Sequence, residues 1–477
     1  MTSKTESYFS ENPEFPSKLI VATLFIGAFF GYLNDTLLNV ALPTLMTEFQ
    51  VEKTTVQWLV TGFLLVMGAF TPISASLIEW FETRKLVLAT QFTFIVGSAI
   101  CTFATQFEML LVGRMVQAIS AALFVPLLFN AILAIYPPHQ RGMAMGIVTM
   151  MFTVAPAMGP TISGVIIDYF NWRYLFGLTV PFMLLAMLIT SKFLTVRLNE
   201  ITRPKIDLLS AFLSITGLSG LVYASSNFAA LSLSAFFALM AMSLALIVWF
   251  SKRQFALATP LLNLRAFHHA QFRYAVIILV CAYFLFMGLE VMMPMYTQQV
   301  LMLSATAMGL ILMPASISQA IAAPIFGGLL DKKGGRWVLL PATMLLVGAL
   351  ILMWFWLDLT TSTLLLSALF ALMALSVSAC ITGETHGLNA LTKELNPHGT
   401  AILTTVSPIA AALGTSFFVG MINVGEHLSN ELSSQQATLN GVHLSMASAL
   451  IIAVIALWFA FKIKPHLSKG ELNASNG

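Results

Sequence analysis

Residues 72–84 read PISASLIEWFETR, and residues 324–336 read PIFGGLLDKKGGR. In register the two segments share Pro, Ile, a small residue, Leu, an acid and a closing Arg, and they begin 252 residues apart. Each closes a long apolar run and opens a short charged turn. A chain that repeats itself once at such a distance consists of two similar halves. An α-helix needs about 20 consecutive apolar residues to cross the hydrocarbon core of a bilayer. Reading outward from the repeat by that rule gives fourteen spans, at approximately 19–42, 55–78, 86–106, 109–135, 143–167, 174–195, 208–228, 231–251, 272–297, 304–330, 337–357, 363–388, 400–424 and 441–462. The repeated segments close spans 2 and 10. The simplest organisation is therefore a tail (1–17), a six-helix bundle (18–195), a two-helix insert with its linkers (196–271), a second six-helix bundle (272–464) and a tail (465–477). The fold class is an all-α polytopic membrane protein, since the runs are too long for strands and lack a period of two. Repeated halves are how secondary transporters build a midplane site between two rocking bundles.

Composition demands the same solvent. Hydrophobic residues make up 58% of 477 positions and charged residues 9%. Soluble domains carry about 25% charged residues, so this chain has too few to clothe a water-facing surface. The net charge of +3 is small, but its placement is informative. With the N-terminus in the cytoplasm, twenty of the 23 Lys and Arg residues fall in cytoplasmic segments or at cytoplasmic helix ends. Lys53 and Arg173 fall outside, and Arg114 lies within the membrane. This is the positive-inside rule, and it places both termini in the cytoplasm. Trp58, Trp172, Trp354 and Trp356 fall near outer helix ends, and Trp80, Trp249, Trp337 and Trp458 near inner ends, as headgroup-level belts. The first 17 residues are polar and include Glu6, Glu11 and Glu14. They lack the basic start and apolar stretch of a cleavable signal, so the first helix is expected to direct insertion.

Ionisable groups placed away from the interfaces are few: Asp35, Arg114 and Glu290, with Glu384 nearer the cytoplasmic end of span 12. A charge at the membrane centre costs about 2.5–3.5 kcal/mol on insertion scales, so each needs water, a partner or a purpose. Gly27, Gly31, Asp35, Asn39 and Pro43 recur every four residues and form one helix stripe. That small, polar stripe should face protein or a cavity, with Asp35 looking into a transport path. A carboxyl taken out of water favours its neutral form, and a nearby cation favours the ionised form. One such group binds a proton or a cation, but not both well, which is the minimal chemistry of antiport. A structural hydrogen bond or an ion pair with Arg114 is the alternative. Tyr283, Phe286, Glu290 and Pro294 share a face of span 9, where Glu290 would supply a second acid or serve structure. Glu384 and His386 either join the site or reach cytoplasmic water.

Several segments carry a resemblance. Gly327-x-x-x-Asp331-Lys332-x-Gly334-x-Arg336 resembles the cytoplasmic loop signature of the major facilitator superfamily. The first copy ends in the matching Arg84 but has Ala75 for Gly, Glu79 for Asp and Glu82 for Gly. Asn34-Asp35-Thr36 with Asn39-Val40-Ala41-Leu42-Pro43 resembles the span 1 signature of the fourteen-span drug:proton antiporters. Ala155-Pro156-Ala157-Met158-Gly159-Pro160 with Gly164 resembles their span 5 antiporter motif. Asn171-Trp172-Arg173 resembles the entrance of span 6, and Arg114-x-x-Gln117 the intramembrane arginine motif, with Ala118 where Gly is usual. The resemblance covers residues from about 18 to 464. It implies the major facilitator fold, a monomer in a bacterial plasma or inner membrane, and proton-coupled export of hydrophobic or cationic small molecules. It gives coupling roles to Asp35, Asn39, Arg114 and Gln117, with Glu290 and Glu384 added from their placement.

Physical readings stand beside the motifs. Gly159, Pro160 and Gly164 would either bend span 5 or form a tight packing seam. Asp331, read as capping span 10, and the bases Lys332, Lys333 and Arg336 would either latch neighbouring helices or serve topology alone. No cofactor or metal is expected, and protons are the coupling ion. The eight His form no H-x-x-x-H pair, and Cys101, Cys281 and Cys380 sit in apolar runs without ligand spacing. A phosphate loop for an ATP-driven pump is absent from the sequence, as is a basic patch for nucleic acid. The remaining alternative is a transporter of the same fold for an endogenous metabolite, lipid or siderophore.

Overall fold

The structure is a computed structural model. It describes residues 16–136, 151, 155, 158–194, 201, 207–226, 231–257, 260, 262–392, 395–429 and 433–465, and excludes the side chains of Asp35, Pro72, Ala75, Ser76, Glu79, Leu133, Leu208, Ser226, Asp331, Asn396 and Pro397. The fold is all-helical, with no strand among the described residues. Among the described residues, twelve helices are long and apolar enough to cross a membrane by length and composition. They coincide with twelve of the fourteen spans read from the sequence. Of the other two, span 7 contains the shorter apolar helix Leu209–Ser225. Span 5 begins outside the described residues and is helical from 158 to 169. The span numbers of the sequence are kept below.

Proline shapes the first helix of each half. Span 1 runs as Ser17–Leu37, tightens into a 3-10 turn at Asn39–Ala41 and resumes as Leu42–Phe49. Pro43 has no N–H to give the Asn39 carbonyl, and its ring crowds that carbonyl, so the α-helical ladder breaks there. Span 9 runs as Ala270–Met295 and continues as a π-helical turn at Tyr296–Val300. Pro294 withholds the same bond from the carbonyl of Glu290. The two prolines stand at matching places, 251 residues apart, close to the spacing of the loop repeat.

Spans 1, 2, 3, 4 and 6 pack on one another, as do spans 9 to 14. Between these groups span 2 (Trp58–Trp80) packs along span 13 (Asn396–His427). Successive spans reverse direction, so the starts of odd spans share one end of the molecule with the ends of even spans. At this terminus end Gln271 bonds the backbone of Lys462 and Lys464, and His386, which is buried, bonds Gln271. The opposite face is the far end.

One reading of a helix end changes. Asp331 lies within the last turn of span 10 (Ala305–Lys333), and Gly334, at φ 84°, is the residue that ends the helix. Only glycine takes that conformation without strain. Gly27 and Gly31 of the span 1 stripe pack against Phe124 and Ala121 of span 4. These two positions of the stripe therefore face protein, one of the two surroundings expected of it, and serve helix–helix packing.

Candidate functional site

Arg114 organises the interior of the first half. It is 0% exposed, on span 4 (Phe107–Ile135). Its Nε donates to the carbonyl of Leu59 at 3.1 Å, and its Nη1 to the carbonyl of Asn34 at 3.1 Å and to Gln117 Oε1 at 3.3 Å. The guanidinium lies 4.1 Å from the centroid of the Phe63 ring, a favourable placement for a cation. Gln117 in turn donates to Ser98 at 2.8 Å. Arg114 thus ties spans 1, 2 and 4 at the residue beside Asp35. The Asp35 backbone belongs to the Ser17–Leu37 helix, one turn beyond Gly31; its side chain lies outside the described residues. Asn39 is buried in the 3-10 turn, and its side-chain amide makes no hydrogen bond among the described residues.

Glu290 is 3% exposed. It lines a small cleft with Phe286, Leu312, Ala315, Ser316, Gln319, Phe370 and, from the other half, Pro160. Nothing in the spacing of the motifs puts Glu290 beside the antiporter motif. The structure does, because span 5 crosses to the second half. A Cβ at Gly164 would meet the carbonyl of Ala305, one at Gly309 the carbonyl of Pro160, and one at Gly159 the side chain of Thr36. Thr161 donates to the Gly309 carbonyl at 3.2 Å, Thr306 to the Gly164 carbonyl at 3.1 Å, and the Thr306 N–H to Asp168 at 2.7 Å. Of the two readings of this motif, the tight seam is the one seen, and it joins the halves. Pro156 lies outside the described residues.

Glu384 is half-buried just beyond a turn at Thr382 that divides span 12 into Thr363–Ile381 and Gly383–Leu388. Tyr283 lies within electrostatic range of both Glu384 and Tyr32. His386 does not reach open water; it packs against Gly335 and bonds Gln271.

Among the described residues, the bonds that cross between halves lie toward the far end. Lys53 pairs with Glu426, whose carboxylate also accepts from the Thr438 hydroxyl. The hydroxyls of Thr61 and Thr415 are 2.6 Å apart. Gln298, on the π-helical turn, donates to the carbonyl of Val40 at 3.2 Å. Sequence reasoning missed this cluster and read Lys53 as an ordinary outside charge. Its signal was its rarity, since Lys53 and Arg173 are the two basic residues of the far end. Arg173 is also engaged, bonding Glu48 and the carbonyl of Ala104.

At the first loop motif the described contacts stay within the first half. Arg84 donates to the Ser191 carbonyl at 2.5 Å, within the first half, and Lys85 pairs with its neighbour Glu82. Lys332, Lys333 and Arg336 are exposed, and nothing lies within 4 Å of a Cβ built at Gly327. The Asp331 side chain lies outside the described residues.

Comparison with known proteins gives this arrangement a family. A model of the Major Facilitator Superfamily matches residues 24–415 and 275–476. The chain is 36% identical over 460 residues to the lincomycin resistance protein LmrB of Bacillus subtilis, covering 93% of this chain and 95% of that one. It is 34% identical over 448 residues to the protein of the same name from Listeria monocytogenes, covering 93% of each. A crystal structure of a POT family transporter in complex with 5-aminolevulinic acid superposes with a TM-score of 0.69 at 15% identity, over 93% of this chain and 96% of that one. The chain therefore belongs to the Major Facilitator Superfamily, on its drug:proton antiporter branch, and is a multi-pass membrane transporter rather than an enzyme.

Proposed function

We propose that this protein exports hydrophobic, cationic small molecules in exchange for protons by alternating access, with Asp35 as the main coupling carboxylate and Glu290 as a second acid. The observation that carries the reading is Glu290, buried in a cleft walled by both halves. A carboxyl there changes its surroundings whenever the halves part, and a carboxyl that alternates between dry and wet surroundings takes up and releases a proton. Asp35 stands beside Asn34, whose carbonyl Arg114 holds, so the backbone at that point is fixed against a buried cation. Relatives named for lincomycin resistance and multidrug export support a drug as cargo. With the termini in the cytoplasm, the far end faces outward and the state described is closed to the outside.

Asp35→Asn keeps the side-chain shape and removes the titratable charge. A proton moving down 100 mV yields about 2.3 kcal/mol, and this variant should no longer couple that drive to the cargo. Dye-induced proton release from vesicles, read beside the amount of folded transporter, is the test. Wild-type proton release from well-expressed Asp35→Asn protein overturns the assignment.

A further inference from the structure

At the terminus end the start of span 9 and the end of span 14 are fixed to one another. Span 14 (Ser434–Ala460) packs along span 9. Gln271, buried at the start of span 9, donates to the carbonyl of Lys462 at 3.4 Å and accepts from the N–H of Lys464 at 2.9 Å. Ile463, between those two bonds, is buried, whereas the Lys462 side chain is exposed.

Beside that pinned turn, cations and rings gather from both spans. The Lys462 ammonium lies 3.4 Å from the centroid of the Trp458 ring and 5.9 Å from that of Tyr274. The Arg273 guanidinium, also exposed, lies 5.6 Å from the same Tyr274 ring, and its Nη1 donates to the carbonyl of Phe267 at 3.3 Å. Tyr274 packs on Phe459, with ring centroids 5.8 Å apart. Two cations from different spans thus share one ring, and among the described residues neither has an acid within ion-pair distance. A guanidinium carries five N–H donors and an ammonium three, so most of theirs remain to be used. Elsewhere at this end Arg84, Lys85 and Arg253 are engaged with Ser191, Glu82 and Asp207, and Lys332, Lys333 and Arg336 come from a single loop.

The surroundings select the ligand. Ile451, Val454, Ile455 and Trp458 are exposed and form one stripe of span 14, apolar until it reaches the indole and then Lys462. In a membrane such a stripe meets acyl chains, and a tryptophan at its end marks the headgroup level. The two cations stand where the phosphate of a lipid lies when its chain follows the stripe. Positive-inside topology calls for a base on this side, but not for a lysine seated on an indole, nor for a second base from another span on a shared ring.

We propose that spans 9 and 14 form a binding site for an anionic phospholipid, with Arg273 and Lys462 holding its phosphodiester and one acyl chain lying along Ile455 and Ile451. With the termini in the cytoplasm, the site belongs to the inner leaflet. It goes beyond the export reading and does not rest on it. Arginine offers phosphate a paired fork and lysine a point charge. Lys462 already rests on Trp458 and Gln271 pins its backbone, so little freedom is lost when a lipid binds. A zwitterionic headgroup would bring a cation of its own to two bases, which repel it.

Native mass spectrometry of the purified full-length protein counts bound lipid during titration with dioleoyl phosphatidylglycerol, and separately with the matching phosphatidylethanolamine and phosphatidylcholine. Phosphatidylglycerol should fill a first site more tightly than either zwitterionic lipid. Lys462→Met and Arg273→Met should each weaken that site about fivefold, which corresponds to about 1 kcal/mol per base near a membrane surface, and the double variant should lose the preference. Lys332→Met with Lys333→Met removes the same charge from the same end and should leave the site intact. Equal binding of the three lipids by the wild type overturns the proposal, whether or not any variant folds. So does full affinity in the folded double variant, or an equal loss in the Lys332 and Lys333 variant, which would reduce the effect to net charge. Inorganic phosphate should not displace the lipid; displacement would make this a site for a free anion, and the lipid assignment falls.

Discussion

Replacing Lys53 by Met leaves the Glu426 carboxylate in the far-end seam with Thr438 but without its cation. The Lys53 side chain is 11% exposed and that of Glu426 23%. Breaking a fully buried pair on one side costs about 3–5 kcal/mol, and an exposed pair is worth about 0.2–1 kcal/mol. Partial water access at this site puts the cost of the lone carboxylate at about 2 kcal/mol, which is roughly a 30-fold change in an equilibrium. The pair joins the two halves, so the loss falls on the state in which they touch. Parting the far end lets Glu426 regain water, and the closed state loses its preference by that factor. The assay is the rate at which a polar maleimide modifies Thr415→Cys, a position fully buried in the seam, in purified protein. Lys53→Met should raise that rate roughly 30-fold. Adding Glu426→Gln should bring most of it back, because the uncompensated charge is then gone. Unchanged modification in Lys53→Met, with the protein folded, would show that the pair does not hold the far end shut.

Three glycines give a graded test of the motifs. Gly164→Ala should sharply reduce transport, since its methyl group meets the Ala305 carbonyl; Gly334→Ala should cost about 1 kcal/mol of stability from its positive φ; Gly327→Ala, with open space around it, should leave both unchanged. Uptake assays with thermal unfolding check the order, and a damaging Gly327→Ala would count against it. The Arg253 guanidinium, bonded to Asp207 at the entrance of span 7, holds that carboxyl down to about 2. A carboxyl depressed below its unfolded value of about 3.9 adds stability that is present above that value and lost as pH falls through the folded one. Proteolysis at the start of span 7 should therefore rise below about pH 4, and Arg253→Met should show that susceptibility already at neutral pH.

The sequence by itself determined the spans, because hydropathy adds residue by residue along the chain and needs no knowledge of neighbours. Twelve of the fourteen runs reappear as membrane-length helices among the described residues, and the repeat at residues 72–84 and 324–336 is the ground for reading two halves. The interruption at Pro43 is local too, since a missing N–H acts four residues back. Lateral arrangement was not legible. In a bilayer both lipid and protein interior are apolar, so hydrophobicity does not say which face of a helix meets its partner. Leu310 is exposed and Leu312 buried two residues later in the same apolar helix. The stripe of Gly27 and Gly31 reads as facing protein or a cavity, and only the structure shows that it accommodates Phe124. Only the tertiary structure brought Lys53 to Glu426, Pro160 to Glu290, and span 7 to the seam between spans 2 and 13. Each of these contacts joins segments far apart in the chain and depends on shape, on close backbone approach and on charge pairing, none of which a single helix displays.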